Sequence, residues 1–105
     1  MGKKRNIICD RTEIILVDTD KKSAESYNFT SEQVSRIEID KHEEVSWFKK
    51  IPSEKIAVYT RKRAEPFVYV RGKNKQYFDE YKRELEKFAR EHRIIFNDLT
   101  QAEEA

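Results

Sequence analysis

The sequence predicts a mainly β domain of the α+β class that ends in one amphipathic helix. Valine and isoleucine together occur 16 times against three leucines, and six Phe and five Tyr add to them. Because β-branched and aromatic side chains fit a pleated surface, this composition favours sheet. Short apolar or alternating segments continue up to Gly72, and beyond it the apolar residues take a helical spacing.

Seven short strands are predicted before the helix, each bounded by polar or turn-forming residues. They are Asn6–Cys9, Glu13–Val17, Glu25–Phe29, Val34–Asp40, Val45–Phe48, Ile56–Thr60 and Phe67–Arg71. Residues 10–12 are suited to a tight hairpin, and residues 18–22 to a turn in which Asp side chains bond their own backbone. No repeat or linker divides the 105 residues, so we expect a single domain with its core in residues 6–96 and a frayed tail in residues 97–105.

The helix is predicted from apolar residues that follow one another at intervals of three or four after Gly72. One face of the helix then carries Tyr77, Tyr81, Leu85, Phe88 and His92, and Phe78 and Ala89 widen it. Asn74 is a suitable N-cap. Residues 94–96, Ile-Ile-Phe, predict a last short strand. If that strand lies at an unpaired sheet edge, we expect a weak homodimer.

Short strands in succession followed by a single amphipathic helix resemble the pleckstrin-homology-like (PH-like) superfold, particularly its small bacterial versions. The resemblance rests on element order over residues 6–93. It implies a seven-stranded antiparallel sandwich or barrel, with the C-terminal helix closing one open end. It also implies a binding module, because this family places many ligands on one scaffold. The best match to the family's phosphoinositide pattern is Arg61-Lys62-Arg63, which lies before the seventh strand rather than in the first hairpin.

Positive charge is concentrated in residues 49–75. The whole chain has 22 basic and 20 acidic residues, whereas this segment has nine Lys or Arg against two Glu. Protein surfaces that bind nucleic acid or phosphate typically combine cations, which neutralise phosphate, with aromatic rings, which stack on bases. The candidate anion-binding residues are Arg61, Lys62, Arg63, Arg71, Lys73, Tyr59 and Tyr69. The alternative is a solvated face, since lysines also keep edge strands from aggregating.

The residues that could carry out chemistry are few. Cys9, the lone cysteine, excludes an internal disulfide, and with His42 and His92 it lacks the close spacing of zinc ligands. We expect Cys9 to be a small buried residue and His92 to belong to the core or to cap the helix. Glu38 and Asp40 share one strand face and could hold Mg²⁺ or act as acid and base, but a solvated face is the simpler interpretation.

These observations predict a non-enzymatic binding or scaffold module without cofactor or metal. Protein interaction through an exposed strand edge or the helix flank is the leading prediction. The alternative is binding of an anionic ligand, nucleic acid or acidic lipid, through residues 49–75. Apolar runs reach only four residues, against the roughly 20 of a membrane span, and the start lacks the apolar stretch of a signal peptide. We therefore expect a soluble, cytoplasmic protein without a transmembrane segment.

Overall fold

The strands form two separate sheets, the first from the N-terminal three strands and the second from the other four. The computed structural model describes residues 5–19 and 25–101. The strands are β1 (Ile7–Cys9), β2 (Glu13–Asp18), β3 (Glu25–Thr30), β4 (Val34–Val45), β5 (Lys50–Thr60), β6 (Phe67–Val70) and β7 (Ile95–Asp98), and the helix α1 spans Phe78–His92. Short 3-10 turns occupy Ser31–Gln33, Arg71–Lys73 and Leu99–Gln101. The prediction of a mainly β chain with one C-terminal helix is confirmed.

The order of strands is β1-β2-β3 in the first sheet and β6-β5-β4-β7 in the second. All neighbouring strands are antiparallel except β7, which pairs with β4 in parallel. Within the described residues the two sheets share no strand and do not close into a barrel. Six strands precede the helix and the seventh follows it, so the topology differs in this respect from the predicted one.

The predicted strand Val45–Phe48 is wrong. Val45 is the last residue of β4, and residues 46–49 form the turn that leads into β5. β4 therefore continues beyond its predicted end at Asp40, and β5 begins well before its predicted start at Ile56. Val, Trp and Phe all favour strands, and residues 46–49 contain no Gly, Asn, Asp or Pro to mark a turn.

The core lies between the two sheets and the helix. The strands contribute fully buried side chains on alternate residues, among them Ile14, Leu16, Ile37, Ile39, Ile56 and Val58. The helix contributes Phe78, Tyr81, Leu85, Phe88 and Ala89, which confirms the central part of the predicted apolar face, whereas Tyr77 and His92 at its ends are only partly buried. Each large apolar side chain removed from water stabilises the fold by about 1.5–3 kcal/mol. This core holds in place the part of β4 that pairs with β7 and the part of β5 that pairs with β6.

The helix begins about one turn after the predicted N-cap and ends at His92, the last residue of the predicted apolar face. Tyr77, not Asn74, is the N-cap, and the Asn74 carbonyl accepts the N–H of Tyr77 at 3.1 Å in the preceding turn. Arg93 ends the helix in the left-handed conformation, with φ of 59°, and turns the chain into β7. The last short strand is confirmed, although it extends to Asp98 and so passes the expected core boundary at residue 96. Residues 102–105 of the predicted tail, and most of the predicted turn at 18–22, lie outside the described residues.

Candidate functional site

β4 and β5 extend beyond the rest of their sheet. β7 pairs with β4 as far as Ile39, and β6 pairs with β5 from Lys55 onward. Residues 41–45 and 50–54 pair with each other, from Lys41 with Glu54 to Val45 with Lys50. We call these two segments the ribbon. At about 3.3 Å per residue, the ribbon places its turn roughly 15 Å beyond the four-stranded part of the sheet.

The end of the ribbon, residues 45–51, is here called the tip. The Ser46 N–H donates to the Lys49 carbonyl at 2.8 Å and closes the turn, so Trp47 and Phe48 stand at its apex. Both side chains are 88% exposed, and their ring centroids are 5.7 Å apart. Val45, before the turn, is 80% exposed. The apolar side chains of the tip therefore form an exposed cluster that takes no part in the core.

The ribbon is fastened to the body of the domain near the tip. Glu44 Oε2 accepts a hydrogen bond from Ser53 Oγ at 2.9 Å, across the ribbon, and another from the backbone N–H of Gly72 at 2.7 Å. A Cβ at position 72 would collide with the Glu44 carboxylate, so glycine is what allows this approach. The carboxylate thus ties β4, one residue before the tip, to the 3-10 turn that follows β6.

A second fastening lies at the base of the ribbon, beside a groove of about 760 Å³. Arg71 donates to Glu54 at 2.8 Å and to Asp79 at 3.0 Å, and Lys82 of the helix donates to Glu54 at 3.0 Å. Burial alone would raise the pKa of the Glu54 carboxyl, but the hydrogen bonds from Arg71 and Lys82 outweigh it and hold that pKa below its usual range. The charge of Arg71 is therefore engaged within the domain.

The predicted anion-binding residues are divided between the two ends of β6. Arg61, Lys62 and Arg63 lie in the turn before β6, whereas Arg71 and Lys73 lie in the 3-10 turn after it. A strand of four residues spans about 13 Å, so one phosphate group cannot contact both sets. The residues within each set therefore lie near one another, but the two sets do not form a single anion-binding site.

Besides Arg71, two of the predicted residues are held by contacts inside the domain. Arg63 donates to the buried Asp18 carboxylate at 3.0 Å, and its guanidinium lies 3.7 Å from the centroid of the Phe67 ring. Tyr69 is 1% exposed, and its hydroxyl donates to the Val17 carbonyl at 2.7 Å. A buried ring of this kind cannot stack on a base while the domain is folded.

The remaining predicted residues have accessible side chains. Arg61, Lys62 and Lys73 are exposed. Tyr59 is half-buried, with the Arg36 guanidinium 3.7 Å from its ring centroid. An anion-binding role for these four residues stays a prediction.

Cys9 and His92 line one shallow cavity without forming an activated pair. Burial, reinforced by the nearby Glu84 charge, raises the pKa of the Cys9 thiol to about 12, so the thiol is protonated at neutral pH. His92 Nε2 lies 2.6 Å from the Arg11 carbonyl oxygen, which only accepts, so Nε2 carries the proton. The His92 ring also contacts Phe88, with centroids 4.6 Å apart.

The acidic candidates are also engaged. Glu38 accepts from Arg36 at 2.9 Å, and Asp40 accepts from the backbone N–H of Lys41 at 2.7 Å. In residues 5–19 and 25–101, no group of three or more His, Cys, Asp or Glu is placed to hold a metal ion. No helix in this part of the chain is long and apolar enough to cross a membrane.

Comparison with protein-family models, with curated proteins and with solved structures finds no match for this chain. Membership of the PH-like family therefore stays a prediction. The tip is interpreted from its own geometry.

The sequence prediction did not include the tip residues among the candidate site. A usable signal was present in the flanks of Trp47 and Phe48. Charged or polar residues occupy positions 40–44 on one side and 49–50 on the other, so the sequence near the aromatic pair offers only Val45 and Ile51 as large apolar neighbours. Strand propensity alone does not reveal that the pair is exposed. It describes how well each residue suits a strand and says nothing about whether other residues bury its side chain.

Proposed function

We propose that this chain is a non-enzymatic binding module, built on a PH-like scaffold, which contacts its partner with the tip of the ribbon. The exposure of Trp47 and Phe48, 88% for each side chain, carries the proposal. The partner offers an apolar pocket or layer that accepts the two rings. The protonated thiol of Cys9 and the hydrogen-bonded ring of His92 support the non-enzymatic part of the proposal.

The two rings of the tip are stabilised when a complex removes them from water. Removing a side chain of the size of Phe from water is worth about 1.5–3 kcal/mol. Trp47 and Phe48 are almost fully exposed in the free domain, so nearly all of this stabilisation is available for binding. Aromatic residues of this kind concentrate binding energy at interfaces, and exposed apolar clusters mark interaction sites.

The composition of the turn supports the same proposal. Tight hairpin turns favour Gly, Asn or Asp, which adopt positive φ at little cost. The apex here holds Trp47 and Phe48 instead. Neither has a positive φ, since Arg93 is the one non-glycine residue with that conformation in the described chain, so what departs from the usual composition is the placing of two large apolar side chains at an exposed turn. Departures from local preference of this kind occur at functional sites.

The edges of the ribbon are unsuited to binding by strand addition. Pro52 in β5 has no N–H to donate. Charged residues lie two positions away on β5, at Lys50 and Glu54, and opposite Pro52 on β4, at Glu43. We therefore assign contact to the side chains of the tip and not to the backbone of the ribbon.

The experiment is site-specific photo-crosslinking in the native cell. A diazirine-bearing residue at position 48 forms adducts, whereas the same residue at position 91, an exposed site on α1, forms few. Both variants should have the circular-dichroism spectrum of the wild type. Equal adduct yields at the two positions would contradict the proposal, because the tip would then be no more engaged than ordinary surface.

A further inference from the structure

We propose that the partner of the tip is the surface of an anionic lipid bilayer. Trp47 and Phe48 enter the interfacial layer, and Lys49 and Lys50 contact the lipid phosphates. This inference rests on the proposed function of the tip and names the chemistry of its partner.

The size and shape of the tip favour a lipid surface over a folded protein. Its apolar side chains are Val45, Trp47, Phe48 and Ile51, arranged around a convex apex. The two aromatic side chains together bury about 300–500 Å², whereas a stable protein interface buries about 800 Å² on each partner. A bilayer is fluid and closes around a small convex group, so it needs neither a large area nor a pre-formed pocket.

The depth that the tip can reach matches the interfacial layer. Only the Ser46 N–H to Lys49 carbonyl bond closes the turn, so other polar groups of its backbone need water or lipid headgroups as partners. Such a turn stops at the boundary between headgroups and acyl chains, about 5–10 Å deep. Tryptophan is enriched at this level because its ring is apolar and its N–H is polar.

The charges next to the apex favour anionic lipid. Lys49 and Lys50 follow the aromatic pair directly and both are exposed. The Lys50 ammonium is 4.0 Å from Glu43, and both side chains are largely in water, so a lipid phosphate can take the place of that carboxylate. The Glu44 carboxylate is held back by Ser53 and Gly72. Each lysine near an anionic surface strengthens binding by about fivefold.

The same lysines oppose pairing of two tips. In a symmetric dimer through Trp47 and Phe48, the Lys49 and Lys50 side chains of both copies would be brought together, and like charges repel. Self-association through the tip is therefore disfavoured relative to binding at a surface of opposite charge.

The test uses the fluorescence of Trp47, which is the single tryptophan of the chain and so reports on the tip alone. The probes are vesicles of phosphatidylcholine with one quarter phosphatidylglycerol, and vesicles of phosphatidylcholine alone. With the anionic vesicles, emission moves to shorter wavelength, acrylamide quenches less, and lipids brominated near the headgroup quench more. With the neutral vesicles these changes are much weaker, and added salt reduces them for the anionic vesicles.

Two variants and a matched control assign the contact to the tip. Phe48→Ser lowers the partition coefficient by more than tenfold, and Lys49→Gln combined with Lys50→Gln lowers it by about 25-fold for anionic vesicles. Lys87→Gln combined with Arg90→Gln makes the same change in net charge on exposed residues of α1, outside the ribbon and the tip. This control retains most of the wild-type affinity. An equal loss in the control would overturn the proposal, because net charge and not the tip would then govern binding.

The outcomes also separate this inference from the proposed function. Unchanged Trp47 emission with anionic vesicles at low salt overturns the lipid proposal. If crosslinking at position 48 then still yields protein adducts, the tip is a protein-binding element and the proposed function stands. If neither signal is seen, both proposals fail. A shift of the emission with protein concentration alone would indicate a second copy at the tip and would also overturn the lipid proposal.

Discussion

The two halves of the β4–β5 hairpin have the same antiparallel strand pairing, but the apolar side chains of one half are buried and those of the other are exposed. In the half between β6 and β7, Ile39 of β4 faces Ile56 of β5, and both are fully buried. In the ribbon, Val45 lies on the same face of β4 as Ile39 and is 80% exposed. The backbone pattern is continuous, so what differs is how far the face is covered: the apolar side chains of one half are buried in the core, whereas Val45 in the other half is exposed.

This difference shows that apolar residues on one strand can serve two purposes. Where a second layer covers them, their burial stabilises the fold. Where no second layer exists, the same types of residue remain available to a partner. The division falls at positions 41 and 43, where Lys41 and Glu43 replace the apolar residues of the alternation.

The largest expected effect is at the centre of the covered half. Leu85 of α1 is fully buried, so Leu85→Asp would place a charge in the core and lower the free energy of unfolding by about 3–5 kcal/mol. Thermal melting followed by circular dichroism measures this, with Lys87→Asp at an exposed site as the control. A shift of only a degree or two for Leu85→Asp would mean that the helix does not cover the sheets.

A matched pair within β4 sharpens the comparison. Ile39→Ala removes buried methyl groups and lowers the free energy of unfolding by about 2–4 kcal/mol. Val45→Ala, on the same face of the same strand, changes it by about 0.5 kcal/mol or less. Urea denaturation of the two variants measures both values. Similar losses at the two positions would show that the ribbon is covered like the rest of the sheet.

A smaller effect is expected at the base of the ribbon. Burial opposes ionisation of Glu54, but Arg71 and Lys82 more than compensate, so its folded-state pKa lies below the ordinary value of 4.5. The stabilisation is therefore complete above the unfolded-state pKa and is lost as the pH falls through the folded-state pKa. Glu54→Gln lowers the free energy of unfolding by about 1 kcal/mol at neutral pH. In this variant the free energy of unfolding also falls less as the pH is lowered.

Urea denaturation between neutral pH and pH values below 4.5 measures this dependence. Glu91→Gln, at an exposed carboxyl of α1, is the control and should keep the wild-type profile. An unchanged acid profile in Glu54→Gln would mean that the carboxylate does not fasten the ribbon.

Much of the fold could be predicted because its signals are local. The spacing of Tyr81, Leu85 and Phe88 defines one helix face, and alternation defines most strands. The pairing of β7 with β4 could not be predicted, because parallel pairing across a helix depends on tertiary packing and leaves no short-range pattern. The turn at 46–49 was missed because aromatic residues replace the usual turn formers.

The candidate site was harder to predict for a related reason. Positive charge in residues 49–75 is visible in the sequence, but the sequence does not show which cations have partners. Arg63 pairs with Asp18, 45 residues away along the chain, and Arg71, in the 3-10 turn after β6, pairs with Glu54 of β5. The exposure of Trp47 and Phe48 likewise depends on where the covering layer ends, which only the three-dimensional arrangement reveals.

The most direct test of the account is the stability of a double variant at the apex, Trp47→Ser with Phe48→Ser. If the tip has no part in the fold, the free energy of unfolding in urea, followed by circular dichroism, stays within about 0.5 kcal/mol of the wild type. A loss of about 3 kcal/mol or more would contradict the account, because losses of that size follow from removing buried aromatic side chains. Trp47 and Phe48 would then belong to the core and would not be available to a partner.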